Sequence, residues 1–231
     1  MIKLDQKCWA ESRCKSSPEK CHLHCPAYIQ LQRIFEHANI PVYLQYDIKL
    51  RSIEKTRPTF LALAEIQKDI IQYVYKGKNL FLWSASKGTG KTSWACKLMK
   101  EYFFKIALRN DLSQRGTFIS VPKLFQDMRH AFDDDDLKHK IRLLQYRLMT
   151  LPLVIFDDLG AQNDSSWVRE QFYIIINERY NKGLSTFYTA NTPLEELARE
   201  DKLGERITDR IKDGCNIFEI KGESWRRGEN E

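Results

Sequence analysis

Apolar positions in the first third of the chain recur at helical spacing. "YIQLQRIFEHANIP" predicts a short amphipathic helix that Pro41 stops. Between Phe60 and Val74, the residues Leu63, Ile66, Ile70, Ile71 and Val74 share one helical face, and Gly77 ends that helix. Beyond Gly77 short apolar blocks alternate with amphipathic ones. "NLFLWS", "GTFISV", "LPLVIFDD", "LSTFYTAN" and "CNIFEI" predict strands. "TSWACKLMKEYFFKIAL", "PKLFQDMRHAF", "LKHKIRLLQYRLM", "SWVREQFYIIINERY", "PLEELARE" and "LGERITDRIK" predict helices, with Asp133 to Asp136 as an acidic loop. Such alternation implies an α/β fold with a five-stranded parallel sheet covered on both faces. Ligands bind such sheets at the carboxyl ends of the strands.

Composition narrows the class. A chain of 231 residues supports one substantial core and a small appended module. No apolar run approaches the ~20 residues that a membrane span requires. The opening "MIKLDQKCW" has no apolar signal core, so a cytoplasmic location is expected. The net charge of +6 favours an anionic partner such as nucleic acid.

Cys8, Cys14, Cys21 and Cys25 cluster near the start, spaced C-x5-C-x6-C-x3-C. In a reducing compartment such a cluster points to a metal, and four thiolates close a tetrahedral Zn²⁺ site. His22 and His24 are substitute ligands. Free thiols and an iron–sulfur cluster, the latter hinted at by Cys25-Pro26, are the alternatives. Metal would supply stability that so polar a segment lacks. Cys96 and Cys215 read as small core residues.

The chemistry concentrates in "ASKGTGKT". Ala85, Ser86, Lys87, Gly88, Thr89, Gly90, Lys91 and Thr92 fill the phosphate-binding pattern G-x-x-x-x-G-K-[ST], between a predicted strand and a predicted helix. Gly88 and Gly90 allow backbone amides to turn towards phosphate oxygens, and the new helix points its positive end at the same anion. In this pattern Lys91 bridges the β- and γ-phosphates of ATP and Thr92 holds Mg²⁺. Ala85 replaces the first glycine; its methyl disfavours positive φ, so a slightly altered loop is expected.

"LPLVIFDDLG" supplies the second half of a Mg·ATP site. Asp157 is the candidate Mg²⁺ ligand. Asp158 is either the base that polarises an attacking water or a turn or cap acid. An aspartate reaches less far than a glutamate, so slow turnover is expected. Asn191 ends the fourth strand, where it either orients water and γ-phosphate or caps the next helix, a task Thr192 could take instead.

Taken together, "GTGKTSWA", "VPKLFQDMRHAF", "LVIFDDLGA", "NERY", "TAN" and "GERITDRI" resemble the AAA+ helicase loaders of the DnaC/DnaI type, most like the shorter phage- and prophage-encoded forms. The resemblance divides the chain into a Cys-rich module (1–30), a helical linker (31–59) and an AAA+ ATPase domain (60–231), with little room for a helical lid. It implies that Arg210, with Arg206 as runner-up, is an arginine finger reaching a neighbouring subunit's γ-phosphate, unless both lie on a solvated helix face. It implies a nucleotide-sensing arginine at Arg226 or Arg227. It places Phe132 and Trp167 where such proteins contact single-stranded DNA, the alternative being two core rings. Lys138, Lys140, Arg142 and Arg147 would add phosphate contacts.

The function implied is ATP-dependent loading of a replicative, DnaB-type hexameric helicase onto single-stranded DNA, by a homo-oligomer in a bacterial cell. The N-terminal zinc module of the DnaI type implies a docking role for the cysteine cluster. Two other readings remain: an IstB-type transposition helper ATPase, and a non-hydrolysing, nucleotide-bound adaptor for DNA or helicase. A P-loop kinase is disfavoured because no substrate lid is evident.

Overall fold

The computed structural model describes residues 24–45, 48, 50, 57–107, 115–131, 135–160, 165–222 and 224. Five strands form one parallel sheet: β1 (Asn79–Trp83), β2 (Gly116–Ser120), β3 (Leu153–Leu159), β4 (Ser185–Ala190) and β5 (Cys215–Glu219), in the order β2-β3-β4-β1-β5. Successive strand residues point to opposite faces, so each strand feeds two cores. Leu80, Leu82, Leu153, Ile155 and Phe187 enter one core, while Phe81, Val154, Phe156 and Tyr188 enter the other. This two-sided burial explains why the strands read as unbroken apolar runs.

The first core is covered by α1 (Pro26–Ala38), α2 (Val42–Gln45), α3 (Arg57–Lys68), α4 (Ile70–Tyr75) and α5 (Lys91–Ile106). The second is covered by α6 (Val121–His130), α7 (Asp135–Leu148), α8 (Ser166–Asn181), α9 (Leu194–Leu197) and α10 (Glu205–Lys212). From β1 the chain crosses by α5 to the far edge strand β2, and then steps back through β3 and β4 by helices on the other face. That reversal opens a crevice at the carboxyl ends of β1, β4 and β3, where ligands of such sheets sit.

Three local differences from the sequence pattern have physical causes. The first helix ends at Ala38, with Asn39 in a left-handed conformation (φ 53°), before Pro41 is reached. Its end is tied to the sheet edge, since the Thr117 hydroxyl donates to the Ala38 carbonyl and Asn39 donates to Thr117. The helix expected from Phe60 to Val74 is divided at Asp69, because the Lys105 ammonium draws the carbonyls of Gln67 and Lys68 to itself. Asp135 and Asp136 belong to the first turn of α7, where negative charge faces the positive end of the helix.

α1 runs across the boundary expected between the Cys-rich module and the linker, and its Leu31, Ile34 and Phe35 pack with Phe103 and other residues of the first core. Beyond β5 the described residues contain no helix. Among the described residues no helix is long and apolar enough to cross a membrane.

Candidate nucleotide site

The loop from Ser84 to Gly90 joins β1 to α5 at the carboxyl edge of the sheet. Its left-handed residues are Gly88 (φ 76°) and Gly90 (φ 95°), and Ala85 is not among the positive-φ residues. The loop therefore accommodates Ala85 at its first position without a left-handed backbone there. Lys91 opens α5; its ammonium donates to the Ser86 carbonyl at 3.2 Å and is almost wholly buried. The Thr92 hydroxyl donates to Asp157 Oδ1 at 2.8 Å, joining the loop helix to β3.

The two acids occupy an irregularity in β3. Phe156 pairs with Tyr188 and Leu159 with Ala190, three steps on β3 against two on β4. The extra residue is a β-bulge, and Asp158 adopts a left-handed conformation (φ 60°) within it. In a regular strand, consecutive side chains face opposite ways. Here Asp157 meets Thr92, while Asp158 Oδ1 accepts from the Asn191 side-chain amide at 3.3 Å. Opposite the bulge, the Thr189 hydroxyl donates to Asp157 Oδ1 at 2.6 Å and accepts from the Asp158 N–H at 3.0 Å. Burial pushes the Asp157 carboxyl above the usual carboxylate range; the Thr189 and Thr92 hydrogen bonds oppose this, the Asp158 charge reinforces it, and the Lys91 charge opposes it.

These groups fit a magnesium nucleotide. Two left-handed glycines beside a helix start form an amide nest for phosphate. The Thr89 hydroxyl is buried in the loop with no hydrogen-bond partner among the described residues, an acceptor or donor awaiting a ligand. A hydroxyl and a desolvated carboxylate in contact are the hard oxygen donors that Mg²⁺ prefers. Lys91, Thr92 and Asp157 would hold the nucleotide's phosphates and Mg²⁺.

Comparison with known proteins agrees with this geometry. The family model described as "IstB-like ATP binding protein" matches residues 58–231. The chain belongs to that family. The IstB-like chain is also similar to the replicative helicase loader DnaI of Bacillus subtilis, 23% identical over 197 residues, covering 80% of this chain and 58% of DnaI. It is 28% identical over 145 residues to a putative insertion sequence ATP-binding protein, y4pL of Sinorhizobium fredii, covering 62% of this chain and 54% of that protein. It thus spans little more than half the length of these relatives. A solved DnaC helicase loader matches with a TM-score of 0.62 at 25% identity, over 80% of this chain and 99% of that one. The fold is that of the AAA+ P-loop ATPases to which the DnaC/DnaI resemblance points.

The two arginines expected as the finger and its runner-up in the IstB-like domain, Arg210 and Arg206, lie on α10. The Arg210 Nε donates to Asn177 Oδ1 at 3.2 Å, its guanidinium stands 5.0 Å from the Tyr180 ring centroid, and it pairs with Asp209 at 3.1 Å. Arg206 stacks 4.2 Å over Tyr173 and pairs with Glu170 at 3.6 Å. Cys215, three residues beyond α10, pairs with Asn79 at the start of β1, whereas the P-loop follows the end of β1. Arg210 thus lies towards the opposite edge of the sheet from its own P-loop.

Among the residues expected to meet DNA, Trp167 lies in the first turn of α8 and is 40% exposed, so it is not a core ring. Lys138, Lys140 and Arg142 are exposed on α7, whereas Arg147 turns inward and donates to the His37 carbonyl of α1 at 3.4 Å. Asn191 does not cap α9, whose N-cap is Pro193. Phe132, Arg226, Cys8, Cys14 and Cys21 lie outside the described residues; Cys25 is the N-cap of α1.

Sequence reading missed two residues. Thr189 stands in "TAN" as one of three serine or threonine residues in a wholly buried strand, beside the carboxyl edge of the sheet, and that position is its signal. Arg179, in "NERY", is 1% exposed and donates to Thr186 Oγ1 and to the carbonyls of Leu148, Leu151 and Ser185. A charge on the buried face of an otherwise apolar helix was the available clue.

Proposed function

We propose that this protein is an ATPase that loads a replicative hexameric helicase onto single-stranded DNA. The supporting observation is the convergence of Lys91, Thr92, Asp157, Asp158 and Asn191 at one sheet edge, in a chain whose similarity to a helicase loader covers 80% of its length. Lys91 and the loop amides bind the phosphates. Asp158, held by Asn191, polarises the attacking water and accepts its proton. Bound Mg²⁺ would spread the charge that develops on the phosphate oxygens. Arg210 faces away from its own site and serves the nucleotide of an adjacent subunit, so hydrolysis reports assembly. ATP and single-stranded DNA then strengthen each other's binding, and hydrolysis releases the loader.

Trp167 and the exposed cations of α7 contribute DNA contacts through stacking and phosphate pairing, together with Phe132; Arg226 senses nucleotide. The four N-terminal cysteines form a zinc module that docks on the helicase, which elemental analysis of the purified chain checks.

Co-purification with a bacterial replicative helicase, with and without ATP, tests the proposal. ATP-dependent capture supports it. Capture of a transposase instead favours the transposition-helper reading, which the family match and the insertion-sequence relative support. Turnover that Lys91→Ala abolishes excludes a non-hydrolysing adaptor.

A further inference from the structure

We infer that Thr189 is the positioning residue that holds both site acids in place, setting Asp157 for a divalent cation and Asp158 for the water beside it. The inference rests on the ATP-dependent reading above. One hydroxyl serves both acids: it donates to the Asp157 carboxylate and accepts from the Asp158 backbone N–H. Thr189 is fully buried, on the strand that faces the bulge. The left-handed backbone at Asp158 is unfavourable for a residue with a side chain, and it persists where surrounding bonds hold it. Thr189 supplies the bond on the amide side, and Asn191 the one on the side-chain side.

The roles of the two hydroxyls on Asp157 differ. Thr92 and Thr189 both donate to Oδ1. Thr92 is also the candidate cation ligand, through a lone pair that its hydrogen bond to Asp157 leaves free. Thr189 is not placed to be a ligand, because its oxygen is already engaged between two protein groups. It therefore remains as the fixed support of the carboxylate, as hydrogen-bonding neighbours of metal ligands do. A valine has the same shape but loses both bonds. It leaves the Asp158 N–H without the hydroxyl and Asp157 with the Thr92 hydrogen bond in place of two.

The test uses the full chain and a fluorescent ATP analogue, titrated with Mg²⁺. Wild type, T189V, T189S and T189A are compared, with D157A as reference and circular dichroism to establish folding. In T189V the Mg²⁺ concentration for half of the metal-dependent gain in nucleotide affinity rises about tenfold or more. Metal-free nucleotide affinity stays at the wild-type value, and T189S restores the metal response. Should T189V not fold, T189A is read against T189S in its place. A hydroxyl-free variant that follows the wild-type Mg²⁺ curve overturns the inference and leaves the ATP reading intact. T189S as impaired as the hydroxyl-free variants also overturns it, since packing would then be the cause. A wild-type protein whose nucleotide binding ignores Mg²⁺ overturns both.

Discussion

The Thr92 hydroxyl and the Asp157 carboxylate are hydrogen-bonded at 2.8 Å, across the join between the loop helix α5 and strand β3. The carboxylate is held there against the cost of burial, which raises its pKa. A raised folded pKa stabilises the fold below the unfolded carboxylate's pKa, and that contribution is lost as pH rises through the folded value. Above that folded value the nucleotide-free chain therefore carries the cost of a buried charge. Asp157→Asn keeps an oxygen for both threonines and removes the charge. Its melting temperature without nucleotide is expected to exceed that of wild type. Mg·ATP at about a hundred times its Kd adds about 2.7 kcal/mol to wild-type stability, and little of this to the variant. Thermal melts with and without Mg·ATP check both.

Asp158→Asn separates binding from turnover. Asparagine tolerates the left-handed backbone, so the bulge persists. The side chain can no longer take a proton from water. Turnover is expected to fall about 10²- to 10⁴-fold while ATP binding is retained. Single-turnover assays beside equilibrium binding measure the two, and unchanged turnover would assign the base elsewhere.

Arg210→Ala is expected to lower turnover about 10³-fold with ATP affinity unchanged. Since the proposed contact is made between subunits, mixing this variant with Lys91→Ala protein is expected to restore part of the activity. Asn177→Ala removes one hydrogen bond that orients the guanidinium and lowers turnover about 2- to 10-fold. Absence of recovery on mixing would place the arginine's role within one subunit.

Arg179→Lys is expected to destabilise the fold despite keeping the charge. A lysine cannot reproduce the fork that satisfies three carbonyls and a hydroxyl from separate segments. Buried acceptors left unpaired cost about 1–3 kcal/mol each, so a loss of about 3 kcal/mol follows. Urea denaturation measures it, and a wild-type midpoint would show that lysine with water fills the role.

The sheet was legible because its inner strands are buried on both faces and read as plain apolar runs, such as "NLFLW" and "LVIF", while the edge strand "CNIFE" keeps a short apolar block though it is more exposed. The phosphate loop was legible because its chemistry depends on residue type at fixed spacing. The bulge was not. A left-handed aspartate inside a strand is decided by its partner strand, and nothing in "LVIFDDLG" distinguishes a regular register from one carrying an extra residue. Thr189 was hidden for the same reason, since its role exists only once β4 lies beside the bulge. The break at Asp69 depends on Lys105, far along the chain, and no local pattern announces it.

The bulge also has an evolutionary reading. Loss of Asp158 alone would leave Phe156, Asp157 and Leu159 opposite Tyr188, Thr189 and Ala190, a regular ladder with the apolar contacts on either side retained. A one-codon deletion would thus remove the proposed catalytic base and keep the shape of the sheet. Descendants with the shortened strand would keep the surfaces on either side and lose only the proposed chemistry.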